Sequence, residues 1–390
     1  MKSFRTIVAF VVLGLTPPGQ LLCQNSIIQN IVNKVSGDSI FGIISKIEHF
    51  ERYTLSNDTG CSNYLKKRFE KFHFDTIYFQ YYNPDWLPNI IAVKYGILHP
   101  DSIYVAGAHY DSYKVGAPGA DDNGSGTSGI IEIARVFADC KFKKTMFFTL
   151  FSGEELGDYG SKAFVDSLAN NNNHVSAMVD LDMIAYVNPG DDTDVSICVN
   201  TLSLGLMNKY IQSSAAHVPG LSYVVDSTST NVIYSDQKSF WQKNIPALFL
   251  IDESDIHGPN FNYHVHTPDD TVGLSANSSI LAEEITRSAA ATLINLAEID
   301  TTSFPVIPVS YRSMFEVYPN PATDVVHINL ETQAIGPVRI EIFNALGKSV
   351  CLLNSAEKEN SLDFSKTPEG VYLIKLSCKH FTRIMKIIKE

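Results

Sequence analysis

The sequence "MFFTLFSGEELG", residues 146–157, joins an apolar run to two adjacent carboxylates. A short apolar run that ends at small residues predicts a buried β-strand, here over 144–151. Glu154 and Glu155 follow directly after it. Burying either carboxylate costs several kcal/mol unless a cation or a donor compensates its charge. We therefore expect a compensating group beyond the end of this strand.

Strand-like and helix-like segments alternate on both sides of this run. The predicted strands lie at 76–82, 89–96, 102–109, 144–151, 175–183, 195–199 and 245–251. Helical patterns lie within 39–72, from Ile130 to Phe137, at about 159–169 and 203–214, and along the stripe Leu281, Ile285, Ala289, Leu293 and Leu296. Such alternation predicts an α/β fold with a mixed, mostly parallel central sheet and helices on both faces.

Polar residues stand at the ends of three predicted strands. His109 and Asp111 follow one strand, Glu154 and Glu155 another, and Asp182 a third. In sheets of this class, ligands bind beyond the carboxyl ends of the strands. These side chains are therefore expected to converge on one crevice.

The overall composition is that of a soluble globular protein with room for two or three domains. The chain has 390 residues, of which 45% are hydrophobic and 18% charged. Its formal net charge is −12 and its basic residues form no runs, which argues against a nucleic-acid partner. The cysteines show no CxxC spacing, so we expect no cysteine metal cluster, and their separations specify no disulfide pairing.

The amino-terminal segment predicts a secretory signal peptide over residues 1–24. Lys2 and Arg5 precede an apolar stretch at 7–15, which is too short to span a membrane. Cys23 leaves lipidation as an alternative, although Leu22 stands where a small residue is usual. No later segment is long enough for a stable membrane span.

The pattern changes near residue 300. Pro305 and Pro308 interrupt the helical pattern, which predicts a linker over 300–313 between a domain at 25–299 and a separate one at 314–390. The last segment consists of short alternating strands joined by Asn, Gly and Pro turns, which is typical of a small all-β sandwich.

Five stretches carry residues suited to metal chemistry. They are "GAHYDS" (107–112), "PGADDNGSG" (118–126), "SGEELGDYGS" (152–161), "DLDMIAY" (180–186) and "VHTPDDT" (265–271). Histidine and carboxylate side chains together form a ligand set that suits zinc. No GxSxG elbow presents a nucleophilic serine, so a metal site is favoured over a catalytic triad.

All five stretches, in this order, resemble the M28 family of zinc peptidases, which includes secreted bacterial aminopeptidases with two zinc ions. The resemblance covers about residues 38–299 and implies a zinc-exopeptidase-like fold. It implies that His109 and Asp182 bind one Zn²⁺, that Glu155 and His266 bind the other, and that Asp122 bridges the two.

The same resemblance implies the chemistry. Glu154 would be the general base that takes a proton from water held by the metals, and the substrates would be peptides cleaved at their amino termini. It also implies a non-proline cis bond at Asp122–Asn123. Asp111 would accept the other ring proton of His109, Asp236 would support the ligands from outside, and Tyr234 would donate to the developing oxyanion.

Four further acids of these stretches are not expected to take part in the chemistry. Asp180 shares a strand face with Asp182, and Asp121 is expected to shape its loop. Asp269 and Asp270 are expected to be solvated turn residues.

The loop at 257–264 is expected to line the substrate pocket and so to contribute to the enzyme's preference for particular substrate side chains.

Two alternative functions remain open at this point. A glutaminyl cyclase, in which one zinc ion serves an intramolecular cyclisation, is suggested by the similarity of "AHYDS" to that group. A binding module that kept the peptidase fold and lost catalysis is the other, although neither a ligand nor the base is missing here.

The carboxyl-terminal segment has a resemblance of its own. "YPNPATD", "IFNALGK" and "GVYLIKL" are similar to the type A sorting domain of the Bacteroidetes type IX secretion system. This resemblance implies export through the periplasm and the outer membrane to the cell surface or the medium, with the type IX machinery as a partner. A carbohydrate- or protein-binding sandwich is the alternative.

Overall fold

The structure is a computed structural model that describes most of the chain. The described residues are 26–55, 58–170, 173–191, 193–227, 234–300, 315–330, 338–345, 347–355, 357–378 and 381–390. The predicted signal peptide and nearly all of the predicted linker lie outside these ranges. Among the described residues, no helix is both long and apolar enough to cross a membrane.

The chain divides into two compact units, one within Met1–Ser303 and one within Phe304–Glu390. The first contains eight strands of one sheet. They are β1 (Thr76–Gln80), β2 (Asn89–Lys94), β3 (His99–His109), β4 (Lys144–Phe151), β5 (His174–Leu181), β6 (Asp194–Cys198), β7 (Ser222–Asp226) and β8 (Ala247–Ile251).

The sheet is mixed, with parallel strands at its centre, as predicted. The strand order is β1-β2-β4-β3-β5-β8-β6-β7. The run β4-β3-β5-β8 is parallel throughout, and β6 pairs with β7 in the same sense. The pairs β1-β2, β2-β4 and β8-β6 are antiparallel.

Helices cover both faces of the sheet. They are α1 (Ser26–Val32), α2 (Gly37–Ile47), α3 (Gly60–Phe69), α4 (Gly124–Val136), α5 (Tyr159–Asn170), α6 (Leu204–His217), α7 (Gln237–Gln242) and α8 (Ser279–Ala297). Helices α4 and α8 pack on β3 and β4 and are covered by α2, whereas α5 and α7 pack on β5 from the other face. The space between the sheet and helices α5 and α7 is filled by aromatic rings, among them Phe147, Phe151, Phe164 and Phe240.

The register of the central strands explains why the polar residues meet. In the β3-β4 pair His109 lies opposite Phe151, and in the β3-β5 pair Gly107 lies opposite Asp180. The carboxyl ends of the three strands are therefore level. His109, the residues after Phe151, and Asp182 leave the sheet at one edge.

Three elements of this unit fall outside the sequence prediction: α1, β7 and α7. Strand β7 lies at the edge of the sheet and is largely exposed, so it shows no buried alternation. Helix α7 has six residues, fewer than the periodicity of a helix face requires. Strand β3 begins at His99, three residues before its predicted start.

The second unit consists of two antiparallel sheets. The three-stranded sheet has the order β13-β10-β9 and the four-stranded sheet the order β12-β11-β14-β15. The strands are β9 (Phe315–Tyr318), β10 (Val325–Leu330), β11 (Val338–Asn344), β12 (Ser349–Ser355), β13 (Glu359–Asp363), β14 (Gly370–Cys378) and β15 (Phe381–Lys389). A core of its own includes Val326, Ile328, Ile340 and Ile374.

The "YPNP" segment is fastened to the last strand of this unit. The side chain of Asn320 donates to Lys386 O at 2.9 Å and accepts from Ile388 N at 3.0 Å. Its amide therefore pairs with the strand as a backbone peptide would. The cysteines Cys61, Cys140, Cys198 and Cys351 are free thiols.

Candidate metal centre

Two groups of histidine and carboxylate side chains meet at Asp122. His109, Asp122 and Asp182 form one group, and Asp122, Glu155 and His266 form the other. His109 Nε2 lies 3.4 Å from Asp122 Oδ1 and 3.3 Å from Asp182 Oδ2. His266 Nε2 lies 3.0 Å from Asp122 Oδ2 and 3.2 Å from Glu155 Oε2. The two oxygens of Asp122 thus face different groups.

The contacts of His109 call for a cation or a proton between it and the carboxylates. Its Nδ1 lies 3.2 Å from the main-chain carbonyl of Asp111, which can only accept, so Nδ1 carries the hydrogen. A neutral His109 then turns the lone pair of Nε2 toward Asp122 and Asp182. Three acceptors cannot face one another in a buried site unless something positive lies between them.

Zinc fits the donor set and its spacing. Tetrahedral ligands at the usual zinc distances lie about 3.4 Å from each other, which matches the first group closely. His109 Nε2, which faces Asp122 and Asp182, is a buried atom without a hydrogen-bond partner. Buried polar atoms are normally satisfied, and a cation beside His109 Nε2 would satisfy this one.

The loop around Asp122 is held by its neighbours in sequence. The Asp122–Asn123 peptide bond is cis, as predicted. The Asn123 side chain caps α4 by accepting from Gly126 N at 2.8 Å, and it donates to Leu181 O at 2.9 Å. Thr127, in the first turn of α4, donates to His109 O at 2.7 Å. One helix start is thereby tied to the ends of both β3 and β5.

Glu154 lies beside the two groups without belonging to either. Its Oε2 is 4.0 Å from His109 Nε2, and its backbone N donates to Asp111 Oδ1 at 3.4 Å. Burial raises the pKa of Glu154, and the negative charges of Glu155 and Asp182 raise it further against the lowering effect of His109. A carboxylate with a raised pKa next to a cation site is suited to accept and return a proton.

The groups around the centre shift each other's proton affinity. Burial and the charge of Asp122 raise the pKa of Glu155 to about 8. Burial lowers the pKa of His266, but its contacts with Asp122 and Glu155 outweigh this and raise it to about 10. Burial raises the pKa of Asp122, but its contacts with His109 and His266 outweigh this and bring it below its usual range. Asp122 is therefore the anion on which the cluster is centred.

The outer residues expected from sequence lie at different distances from this centre. Asp111 is fully buried and accepts from Thr54 Oγ1 at 2.7 Å. Its carboxylate is 3.5 Å from His109 Nδ1, slightly farther than its own carbonyl. Asp236 is also fully buried, and burial raises its pKa to about 8.

Tyr234 is not gathered into the cluster. Its side chain is 52% exposed, its ring packs edge-on against Trp241, and Lys238 lies over its ring at 5.2 Å. Asp180, expected to be structural, is buried and accepts from Gln237 N at 2.9 Å. Asp121 is buried and accepts from Asn262 Nδ2 at 2.8 Å and from Ala185 N at 3.0 Å.

The expectation that Asp270 is a solvated turn residue is wrong. Asp270 is fully buried, and its carboxylate accepts from the backbone N of Asp121 and of Asp122, whereas Asp269 is exposed. The only available signal was its position four residues after His266. A pair of acids in a loop gives no indication of which member turns inward.

Arg52 also went unrecognised in the sequence. It is fully buried, and its guanidinium donates to the carbonyls of Tyr110, Pro118 and Gly119. It therefore joins the segments that carry His109 and Asp122. A single arginine before a loop offers no motif that could have indicated this role.

Two family models match the chain. Residues 89–290 match Peptidase family M28, and residues 316–390 match the secretion system C-terminal sorting domain. The second match indicates export to the cell surface or the extracellular space.

Curated relatives share part of their length with this chain. Aminopeptidase YwaD of Bacillus subtilis is 36% identical over 188 residues, which cover 47% of this chain and 39% of that protein. A probable zinc metalloprotease of Pyrenophora tritici-repentis is 32% identical over 197 residues, covering 43% of this chain and 45% of that protein. The chain thus spans less than half the length of these two relatives.

Solved structures share the fold of the first unit. The aminopeptidase LapA of Legionella pneumophila is 25% identical with a TM-score of 0.61, covering 70% of this chain and 74% of that chain. The glutaminyl cyclase of Porphyromonas gingivalis is 20% identical with a TM-score of 0.56, covering 67% and 99%, which is a likeness of fold. Since the first family match extends over more than half of the sequence and includes every residue gathered around Asp122, the chain belongs to peptidase family M28.

Proposed function

We propose that the protein is a secreted aminopeptidase that uses two zinc ions to remove amino-terminal residues from peptides. The observation that carries this proposal is the pair of histidine and carboxylate groups that share Asp122, with Glu154 beside them. Family membership and the aminopeptidase names of several relatives support it.

Some residues of the site would bind the metal ions, and Glu154 would transfer the proton. His109 and Asp182 would hold one zinc ion, Glu155 and His266 the other, and Asp122 both. Zinc held there would lower the pKa of water and polarise the carbonyl of the scissile bond. Asp111 and Thr54 keep His109 and the backbone of Glu154 in place through their hydrogen bonds.

Glu154 is the proposed general base. Its position next to His109, outside both ligand groups, leaves its carboxylate free to take a proton from the attacking water and to deliver it to the leaving amine. Burial raises the pKa of Glu154, which increases its affinity for the proton that it takes from the water.

A zinc count combined with a panel of aminoacyl p-nitroanilides tests this proposal. We expect two zinc ions per chain and release of the chromophore. Glu154→Gln should keep the metal and lose about 10²- to 10⁴-fold in kcat. Glu155→Gln is the matched control, because the same change one residue later should weaken metal binding. Full activity of Glu154→Gln would contradict the assigned base.

The same assay distinguishes a glutaminyl cyclase. Such an enzyme would leave the p-nitroanilides intact and convert only peptides with an amino-terminal glutamine. The second ligand group around His266 favours hydrolysis, because the cyclase reading requires one zinc ion. A protein that binds no zinc and turns over neither substrate would instead support the hypothesis of a binding module that has lost catalysis.

We also propose that the second unit directs export through a type IX secretion machinery. The match of residues 316–390 to a secretion sorting domain supports this proposal, as does the independent core of that unit. Deleting residues 314–390 should keep the enzyme in the cell fraction, as shown by fractionation and immunoblotting. Undiminished enzyme in the medium would contradict the proposal.

A further inference from the structure

Asp270 connects the loops that carry Asp122 and His266, two of the three ligands of the second group. It lies in the same loop as His266 and is fully buried. Its carboxylate accepts from Asp121 N through Oδ1 at 2.8 Å and from Asp122 N through Oδ2 at 3.2 Å. Both oxygens are therefore used on consecutive amides of the opposite loop.

The backbone of Asp270 adds to this connection. Its carbonyl accepts from Ala120 N at 3.0 Å, and its own N donates to Thr267 O at 3.2 Å. Three consecutive amides, at residues 120 to 122, thus donate to a single residue. The hydrogen bond from Asp270 N to Thr267 O anchors Asp270 to the segment that begins at His266.

His266 depends on such an anchor more than His109 does. His109 is buried at the end of a central strand and has its Nδ1 held by a carbonyl. His266 lies in a loop, its side chain is 44% exposed, and its backbone is in the left-handed region at φ 62°. The 3.0 Å contact of His266 Nε2 with Asp122 therefore requires that the two loops be fixed to each other.

We propose that Asp270 is a positioning residue that holds Asp122 and His266 at the spacing needed for the second zinc ion. This inference rests on the proposed function of the Asp122, Glu155 and His266 group as a zinc site. Asp270 acts through the backbone amide of Asp122, and both of its carboxylate oxygens are taken up by backbone amides.

The test compares zinc binding by the full-length wild type, Asp270→Asn and Asp269→Asn. Asp270→Asn replaces one acceptor oxygen by an NH₂ group, so one of the two amides meets a donor. Asp269→Asn makes the same chemical change at the exposed neighbour and is the matched control. Zinc content and competition with a chelator give the affinity of each ion.

In Asp270→Asn we expect the zinc held by Glu155 and His266 to lose about 10- to 100-fold in affinity, while the zinc held by His109 and Asp182 remains. The retained zinc and a cooperative thermal transition report an intact fold. Amide hydrogen exchange at residues 120–122 of the metal-free protein should also be faster than in the wild type. Asp269→Asn should match the wild type in all three measurements.

Asp270→Glu is a second variant that keeps the negative charge, and it allows the test to be made if Asp270→Asn does not fold. Asp270→Glu retains both acceptor oxygens on a side chain one methylene longer, and we expect its second-zinc affinity to fall between those of the wild type and Asp270→Asn. If the wild type and every folded variant bind two zinc ions equally tightly, the proposed role of Asp270 is wrong, whereas the proposed two-zinc function stands. Fewer than two zinc ions in the wild type would overturn the proposed two-zinc function, and this inference with it.

Discussion

Tyr113 lies flat against the imidazole of His266 at the open side of the centre. The ring centroids are 4.0 Å apart and the planes differ by 8°. Tyr113 is itself 42% exposed, so the pair forms part of the rim. The stack covers one face of the imidazole, whose Nε2 faces Asp122 and Glu155. This contact restrains His266 from the solvent side, whereas Asp270 restrains its loop from within.

Removing the ring should weaken the proposed zinc site at His266. An aromatic pair contributes about 0.5–1.5 kcal/mol, so Tyr113→Ala should lower the affinity for the zinc held by Glu155 and His266 about 2- to 10-fold. Tyr113→Phe keeps the stack and should bind zinc as the wild type does. Chelator competition on both variants measures this. Equal losses in both variants would show that the hydroxyl, rather than the stack, is responsible.

At the scale of single residues, motif membership decided what the sequence could predict. His109, Asp122, Glu154, Glu155, Asp182 and His266 were all named as site residues, and the structure brings them together. Asp270 and Arg52 act through backbone groups of other loops, so their roles depend on tertiary contacts that no local pattern encodes. Tyr234 was named from the resemblance to the family, and its exposed ring lies against Lys238.

Among the elements, α4 shows how a helix start can fix a site. An added Cβ at Gly126 would lie 2.0 Å from Leu181 O and 2.4 Å from Asn123 Oδ1. Both are fixed groups in the buried contact between α4 and the end of β5. The absence of a side chain therefore lets Asp122 and Asp182 approach each other from two different elements.

Gly126→Ala should separate these elements and destabilise the protein by at least about 2 kcal/mol. It should also reduce zinc content, because Asp122 and Asp182 would move apart. Gly42→Ala is the matched control, since an added Cβ there meets nothing within 4 Å in the exposed side of α2. That change should stabilise the protein by about 0.5–1 kcal/mol. Denaturant unfolding and zinc analysis of both variants would measure these effects, and similar results for the two would refute the packing argument.

Sequence patterns located most of the elements that have a buried face, although they missed α1, in which Ile28, Ile31 and Val32 are buried. Strand β4 was predicted over the residues that form it, because all but its first residue are buried. Helix α4 was recognised from Ile130 and Ile133, although its small-residue first turn was not. Strand β7 and helix α7 were missed because one is exposed and the other too short, so neither displays a period.

The two units of the whole molecule differ in what stabilises them. The second unit is built on an apolar core, whereas the first also encloses a cluster of carboxylates at the edge of its sheet. Two histidines, His109 and His266, lie among these carboxylates. Metal binding is therefore expected to contribute to the stability of the first unit as well as to its chemistry.

This contribution should depend on pH in a defined direction. Burial raises the pKa of Glu155 from 4.5 to about 8 and that of Asp236 from 3.8 to about 8 in the metal-free protein. Between these limits the folded chain binds more protons than the unfolded chain, so the free energy of unfolding falls as pH rises. Zinc, which requires the deprotonated ligands, binds better over the same interval.

The difference in Tm between the zinc-loaded and the chelator-treated protein should therefore widen from about pH 5.5 to about pH 8. Thermal unfolding across this range in buffers of constant ionic strength measures it. Glu155→Gln removes one of the titrating ligands, so its metal-free form should lose less stability over the same interval than the metal-free wild type. A difference in Tm that stays constant or narrows with rising pH would mean that the carboxylates around Asp122 are compensated by something other than a metal.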